Sequence, residues 1–199
     1  MIDKTATIDA FLSAAAAKQP TPGGGSVAAL AGALAASMGE MVLQYSLGKK
    51  GLEAHQEELT QALAEFARGR QMLLELMVED QAAYESMTAA RKSDPKITAA
   101  MSILCCRVPQ LIAATAVAIV DLCDELVEKV NPRLLSDLAV CGELAMATIR
   151  CAAWNIRVNL ADISDQKVRD GFESDCRRFI SHGVEVMQRL MPRIAAVAG

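Results

Sequence analysis

The chain has 199 residues, 52% hydrophobic and 4% aromatic, with a net charge of −4. That length suits one domain with a substantial core, and an acidic chain without basic clusters interleaved with aromatics argues against a nucleic-acid surface. Abundant Ala, Leu, Met, Glu, Gln and Arg, with almost no period-two alternation, exclude a sheet protein.

The fold predicted is all-α: a single-domain helical bundle over residues 1–199, of about six helices, two of them long. The first helix covers residues 8–18, with Thr7 as its N-cap. Residues 20–30, Pro-Thr-Pro-Gly-Gly-Gly-Ser-Val-Ala-Ala-Leu, lead into a second helix over 25–47 that stops near Gly48. The third, charged on its outer side, runs over 52–92 until Ser93-Asp94-Pro95 breaks it. A fourth continues to 130, and Pro109 is expected to kink or break it. Asn131-Pro132 supplies a cap and an N1 proline for a fifth helix to 160, and a sixth spans 165–197. No Gly-, Ser- or Pro-rich linker marks a second domain, and no repeat is present.

Three features carry chemical information. Gly23, Gly24 and Gly25 can take backbone angles denied to other residues and leave room for a ligand at a helix start whose N–H groups are free. The other reading of this loop is a tight turn that brings two helices close. It is not a Walker loop, since no Gly-Lys-Ser/Thr follows. The third helix has a heptad-like seam through Leu59, Leu63, Phe66, Arg70, Leu73, Met77, Asp80, Tyr84 and Met87. Arg70 can snorkel along apolar surface, but Asp80 is too short to do so. A carboxylate on such a seam is either a structural Asp paired across helices or an acid/base group with a raised pKa. On the fifth helix Asp137, Thr148 and Asn155 differ by 11 and 18 positions, which puts them in one sector with Asn159 nearby. They form either a polar wall between helices, suited to a heteroaromatic ligand, or a solvated outer face. Arg150 and Arg157 project elsewhere, to the surface, a dimer contact or another part of the site.

Other signals are quieter. None of the six cysteines forms a C-x-x-C pair, and with two histidines there is no metal-ligand cluster. Reduced thiols in a cytoplasmic protein without structural zinc are expected. Residues 19–39 are uncharged and long enough to span a bilayer, yet they are dominated by Ala, Gly and Ser. Small residues at Ala28, Gly32 and Ala36 fit a helix packed inside protein, so no membrane partner is expected.

The segment from Thr21 through Gly23-Gly24-Gly25-Ser26 to Leu34 resembles the opening of the cyclodeaminase/cyclohydrolase family of folate enzymes. The likeness continues through Ser46-Leu-Gly-Lys49-Lys50, Glu79-Asp80-x-x-x-Tyr84, Val108-Pro109, Asn131-Pro132-x-x-x-Ser136-Asp137 and Asn155-Ile-Arg-Val-Asn159. These six motifs lie in register over residues 7–195; Arg150 and Cys151 stand where smaller residues are expected. The resemblance implies a helical homodimer and a tetrahydrofolate site near the Gly-rich loop. It implies no cofactor, because folate is the substrate, and any formiminotransferase activity is expected on a separate chain.

Within that resemblance Asp80 is the acid/base, with Asp137 next in line. The backbone of Gly23 to Gly25, with Pro22 and Ser26, holds the pterin or the one-carbon unit. Lys49 or Lys50 meets a glutamate-tail carboxylate, while Tyr84, Ser136, Asp137, Asn155 and Asn159 complete the binding surface. Methenyltetrahydrofolate cyclohydrolase and formiminotetrahydrofolate cyclodeaminase both remain open. The competing reading is a non-catalytic folate-binding or helical dimerisation module.

Overall fold

The structure, a computed structural model, describes residues 2–91 and 95–198. Six α-helices follow in chain order: α1 (Ile8–Ala16), α2 (Gly24–Gln44), α3 (Gln56–Ala90), α4 (Pro95–Leu126), α5 (Leu135–Asn159) and α6 (Gln166–Ala198). There is no strand among the described residues. Thr7 caps α1 through its side chain, and the Asp165 carboxylate opens α6 by accepting from the N–H groups of Lys167 and Val168. Asn131 accepts from Arg133 N–H and starts a short 3-10 turn, so α5 begins four residues after the predicted cap. Helix α4 continues through Pro109 without interruption, contrary to a break there. The predicted breaker residues Ser93 and Asp94 lie outside the described residues.

Helix α2 sits between α3 and α5, and α4 packs on α3, α5 and α6. Its inner faces are built of Ala and Gly, so its neighbours approach its backbone closely. Gly25, Gly32 and Gly39 recur every seventh residue along α2, and Asp80, Leu73 and Phe66 recur at the same spacing on antiparallel α3. A Cβ on Gly39 would collide with the Phe66 ring, and one on Gly32 would press to 3.0 Å on Leu73 and 3.1 Å on Thr148. Each rung seats an α3 side chain in a glycine hollow, and Asp80 occupies the third rung. The register that buries Phe66 and Leu73 therefore also delivers a carboxylate to the first turn of α2. Arg70 does more than snorkel: its guanidinium pairs with both Glu40 carboxylate oxygens on α2, which fixes the same register.

At the far end of α2, Gly48 and Gly51 take left-handed backbone angles (φ 69° and 92°) in the turn to α3. Two helices, α2 and α4, are long and apolar enough to cross a bilayer by length and composition, and both pack within the bundle.

Candidate active site

A cleft of about 200 Å³ opens where the start of α2 meets the C-terminal half of α5 and the second half of α3. It is lined by Gly23, Gly24 and Gly25 from α2 and the turn before it, Asp80 and Tyr84 from α3, and Asn155 and Asn159 from α5. These are seven of the residues read from the sequence, brought together from three helices. Pro20 and Thr21, from the Gly-rich stretch singled out in the sequence, also line it, as do Ala83, Cys105 and Val158, which sequence reasoning missed. Ala83, Cys105 and Val158 carry no local signal of their own that marks a site.

Asp80 Oδ2 accepts from the Ser26 N–H at 2.8 Å and lies 2.9 Å from the Ser26 hydroxyl. One first-turn N–H of α2 is thus satisfied by the carboxylate, at the end where the helix dipole favours negative charge. The N–H groups of Gly24 and Gly25 meet no acceptor among the described residues. The Ser26 hydroxyl also reaches the Met77 carbonyl at 3.0 Å, yet it has a single proton. With Asp80 ionised, that proton points to the carboxylate. With Asp80 neutral, the acid can donate to Ser26 Oγ while Ser26 donates to Met77. Both protonation states of Asp80 are accommodated without moving a heavy atom.

Burial pushes the Asp80 carboxyl above the usual carboxylate range, and the two Ser26 hydrogen bonds only partly oppose it. No ion pair reaches it among the described residues, and no basic side chain lines the cleft. A partly buried carboxylate lacking a cation is suited to receive a proton or a cationic ligand. Burial, with the nearby Asp80 charge second, also raises the Cys105 thiol. The Asn159 amide donates to the Cys105 carbonyl at 2.8 Å and the Asn155 amide to the Cys151 carbonyl at 2.9 Å. Each Asn side chain is thereby oriented, with its carbonyl oxygen uncommitted.

The glycines play a different part from the one read in the sequence. Gly23 is extended (φ −106°, ψ −166°) and Gly24 and Gly25 are helical, so no special backbone angle is needed. A Cβ on Gly25 would collide with the Asp80 carboxyl group, and one on Gly24 would come within 3.0 Å of Asn155 Oδ1. These positions make room for the site's own polar side chains. Pro22 is buried and does not line the cleft; its neighbours Pro20 and Thr21 do.

Lys49, Lys50, Ser136 and Asp137 are not brought to this cleft within the chain. Asp137 and Asn155 share a face of α5, but 18 residues at 1.5 Å each separate them by about 27 Å. The polar wall is therefore not continuous: Thr148, between them, is buried and its hydroxyl donates to the Leu144 carbonyl. Lys49, Lys50, Ser136 and Asp137 gather at the opposite end of the bundle. There the Ser46 hydroxyl accepts from Asn131 N–H at 2.9 Å and ties the turn after α2 to the start of α5.

A half-buried carboxylate at a glycine-opened helix start, walled by two amides, defines a helical-bundle protein with a candidate acid/base site. The same fold occurs in formiminotetrahydrofolate cyclodeaminase from Thermotoga maritima, with a TM-score of 0.94 at 24% identity over 98% of this chain and 99% of that one. The family model for formiminotransferase-cyclodeaminase matches residues 7–178, and the chain belongs to that family. Methenyltetrahydrofolate cyclohydrolase of Methylorubrum extorquens is 30% identical over 80% of this chain and 82% of its own length. Rat formimidoyltransferase-cyclodeaminase is 26% identical over 98% of this chain, which spans only 36% of that longer protein.

Proposed function

We propose that the chain is a folate one-carbon enzyme acting on the N5–C–N10 bridge of tetrahydrofolate, as a methenyltetrahydrofolate cyclohydrolase or a formiminotetrahydrofolate cyclodeaminase. The observation that carries the reading is Asp80: a carboxyl raised by burial, unpaired with any cation among the described residues, inside the cleft. In hydrolysis, water adds to the cationic methenyl carbon as the Asp80 carboxylate takes one of its protons; that proton then passes to N5 as the C–N5 bond breaks, while the remaining hydroxyl proton is released to solvent and the C=O forms, leaving 10-formyltetrahydrofolate. In deamination, N10 attacks the formimino carbon and gives up its proton, and the imine nitrogen, once protonated, leaves as ammonia. Both routes pass through a tetrahedral carbon between two nitrogens, and both need a group that can hold and return one proton. The negative charge also favours the cationic bridge.

The uncommitted Gly24 and Gly25 N–H groups and the Asn155 and Asn159 amides suit the polar edges of a pterin. As written, the chemistry draws on no metal or redox cofactor. The reading also places the protein in the cytoplasm as a homodimer. The test is turnover of both substrates, followed by the near-ultraviolet absorbance of the methenyl bridge. Loss of that absorbance with methenyltetrahydrofolate, or its appearance with formiminotetrahydrofolate, at rates well above the uncatalysed reaction is expected. Turnover of neither, by the folded protein, overturns the reading in favour of a binding or dimerisation module.

A further inference from the structure

The family resemblance groups Ser26 with the residues that hold folate, yet its side chain is buried and does not line the cleft, unlike the glycines before it. It meets two acceptors in the interior, Asp80 Oδ2 at 2.9 Å and the Met77 carbonyl at 3.0 Å. Its backbone N–H holds the same Oδ2 at 2.8 Å. The other carboxylate oxygen, Oδ1, accepts no hydrogen bond among the described residues. Every buried side-chain polar atom among those residues has a partner, so this unpartnered oxygen is open to the cleft. It lies against Gly25, a lining residue, where a Cβ would strike it first. The two oxygens of Asp80 are therefore unequal: Oδ2 is turned to Ser26 and the interior, Oδ1 to the cleft.

The Met77 carbonyl has a second side-chain donor. The buried Gln81 amide reaches it at 3.2 Å, while the same side chain clamps the Ile2 backbone with two bonds of 2.8 Å. A Ser26 hydroxyl that turns toward Asp80 thus leaves no orphaned carbonyl behind.

We propose that Ser26 is a positioning residue and not a folate contact: its single hydroxyl proton turns between Asp80 Oδ2 and the Met77 carbonyl as Asp80 changes charge, so that Oδ2 stays anchored and Oδ1 alone exchanges the proton with the substrate. The role rests on the folate reading for its reaction. With Asp80 ionised, both Ser26 donors serve Oδ2, and an Oδ1 lone pair is free to take the proton of water or of N10. Once Oδ1–H has formed, Oδ2 is a weaker, uncharged acceptor that the Ser26 N–H still holds, and the hydroxyl turns to Met77. When Oδ1 gives its proton to the leaving nitrogen, the hydroxyl turns back, and Ser26 ends with the proton it began with. A proton on Oδ2 would be trapped against Ser26, out of the substrate's reach.

No other titratable group shares this task. Tyr84 on α3 and Cys105 on α4 line the cleft with Asp80, the charges of Arg91 and Asp162 act on Cys105, and Glu85 hydrogen-bonds Thr21, another lining residue. The α2 and α5 walls present no titratable side chain. None of these groups hydrogen-bonds Asp80 among the described residues, so the bonds that oppose its burial come from Ser26 alone.

Ser26→Ala is the test, read by turnover and by NMR titration of the Asp80 side-chain carboxyl, identified by the signal lost in Asp80→Asn. Removing the hydroxyl takes a hydrogen bond from the ionised carboxylate only, so the Asp80 titration should move up by about one pH unit. The acid limb of kcat/KM should move up with it, while KM on the pH plateau stays within about twofold of wild type. Ser26→Thr, which keeps a hydroxyl, should return both to wild type. Where Ser26→Ala does not fold, Ser26→Cys, a weak donor, takes its place and should move both in the same direction. An Asp80 titration unmoved in the folded variant overturns the proposal, because the neutral acid would then keep its proton on Oδ2 and lose the same bond. A KM raised at least tenfold with the acid limb in place also overturns it and makes Ser26 a folate contact. A wild type that turns over neither methenyl- nor formiminotetrahydrofolate refutes the folate reading, and the NMR titration still decides whether Ser26 governs the Asp80 proton.

Discussion

Asp80 is held by one serine that can serve it in either charge state. The pH dependence of stability follows from that burial. Because the folded carboxyl titrates above its unfolded value, the unfolded chain holds fewer protons between the two, and Asp80 costs stability as pH rises through that window. Below the window both states are protonated and the cost vanishes. Asp80→Asn should therefore unfold at higher denaturant than wild type at pH 7, with the gap closing toward pH 3; a gap that widens on acidification would contradict the assignment. Gly25→Ala probes the same contact from the other side. Its Cβ would enter the space of the Asp80 carboxyl group, so turnover should fall at least tenfold, about 1.4 kcal/mol, while the helical content persists. Wild-type rates in Gly25→Ala would show that the carboxylate position is immaterial.

Helix α2 illustrates how far local pattern reaches. Its length, its apolar content and its neighbour's seam were all legible, because helix periodicity needs no tertiary knowledge. The third-helix seam holds for Leu59, Phe66, Leu73, Met77 and Met87, which are buried, and for Leu63, which is half-buried, but Tyr84 is 47% exposed because the seam runs out into the cleft there. Less visible was the pairing of two seven-residue series, Gly25-Gly32-Gly39 with Phe66-Leu73-Asp80, although both are written in the sequence. Seeing it requires knowing that α2 and α3 are antiparallel neighbours. Of the kink or break expected at Pro109, the break does not occur: tertiary packing of a long apolar helix can outweigh a lost intrahelical hydrogen bond. The ladder makes its own prediction. Gly39→Ala should destabilise the fold by about 1–3 kcal/mol through overpacking against Phe66. Combining it with Phe66→Leu should recover part of that loss in denaturant titration, whereas strictly additive losses would contradict direct contact.

At the scale of the whole molecule, shared helix faces were legible but positions along them were not weighed. Angle around a helix follows from residue number, and so does rise. Angle alone puts Asp137 with Asn155, but about five turns of helix lie between them. Motif resemblance ties Lys49, Lys50 and Ser136 to the loop, but it carries no information on distance along the bundle. The bundle puts the acid/base residue, the glycine-opened helix start and the two oriented amides at one end, and the lysines at the other. What the account claims above all is that Asp80 moves the proton in opening or closing the folate bridge. Comparing the turnover of wild type and Asp80→Asn on methenyl- and formiminotetrahydrofolate, by methenyl absorbance, tests it most directly. Asp80→Asn should be slower by about 10²- to 10⁴-fold in kcat with ligand affinity little changed. An Asp80→Asn protein that folds and turns over substrate at the wild-type rate would contradict the account.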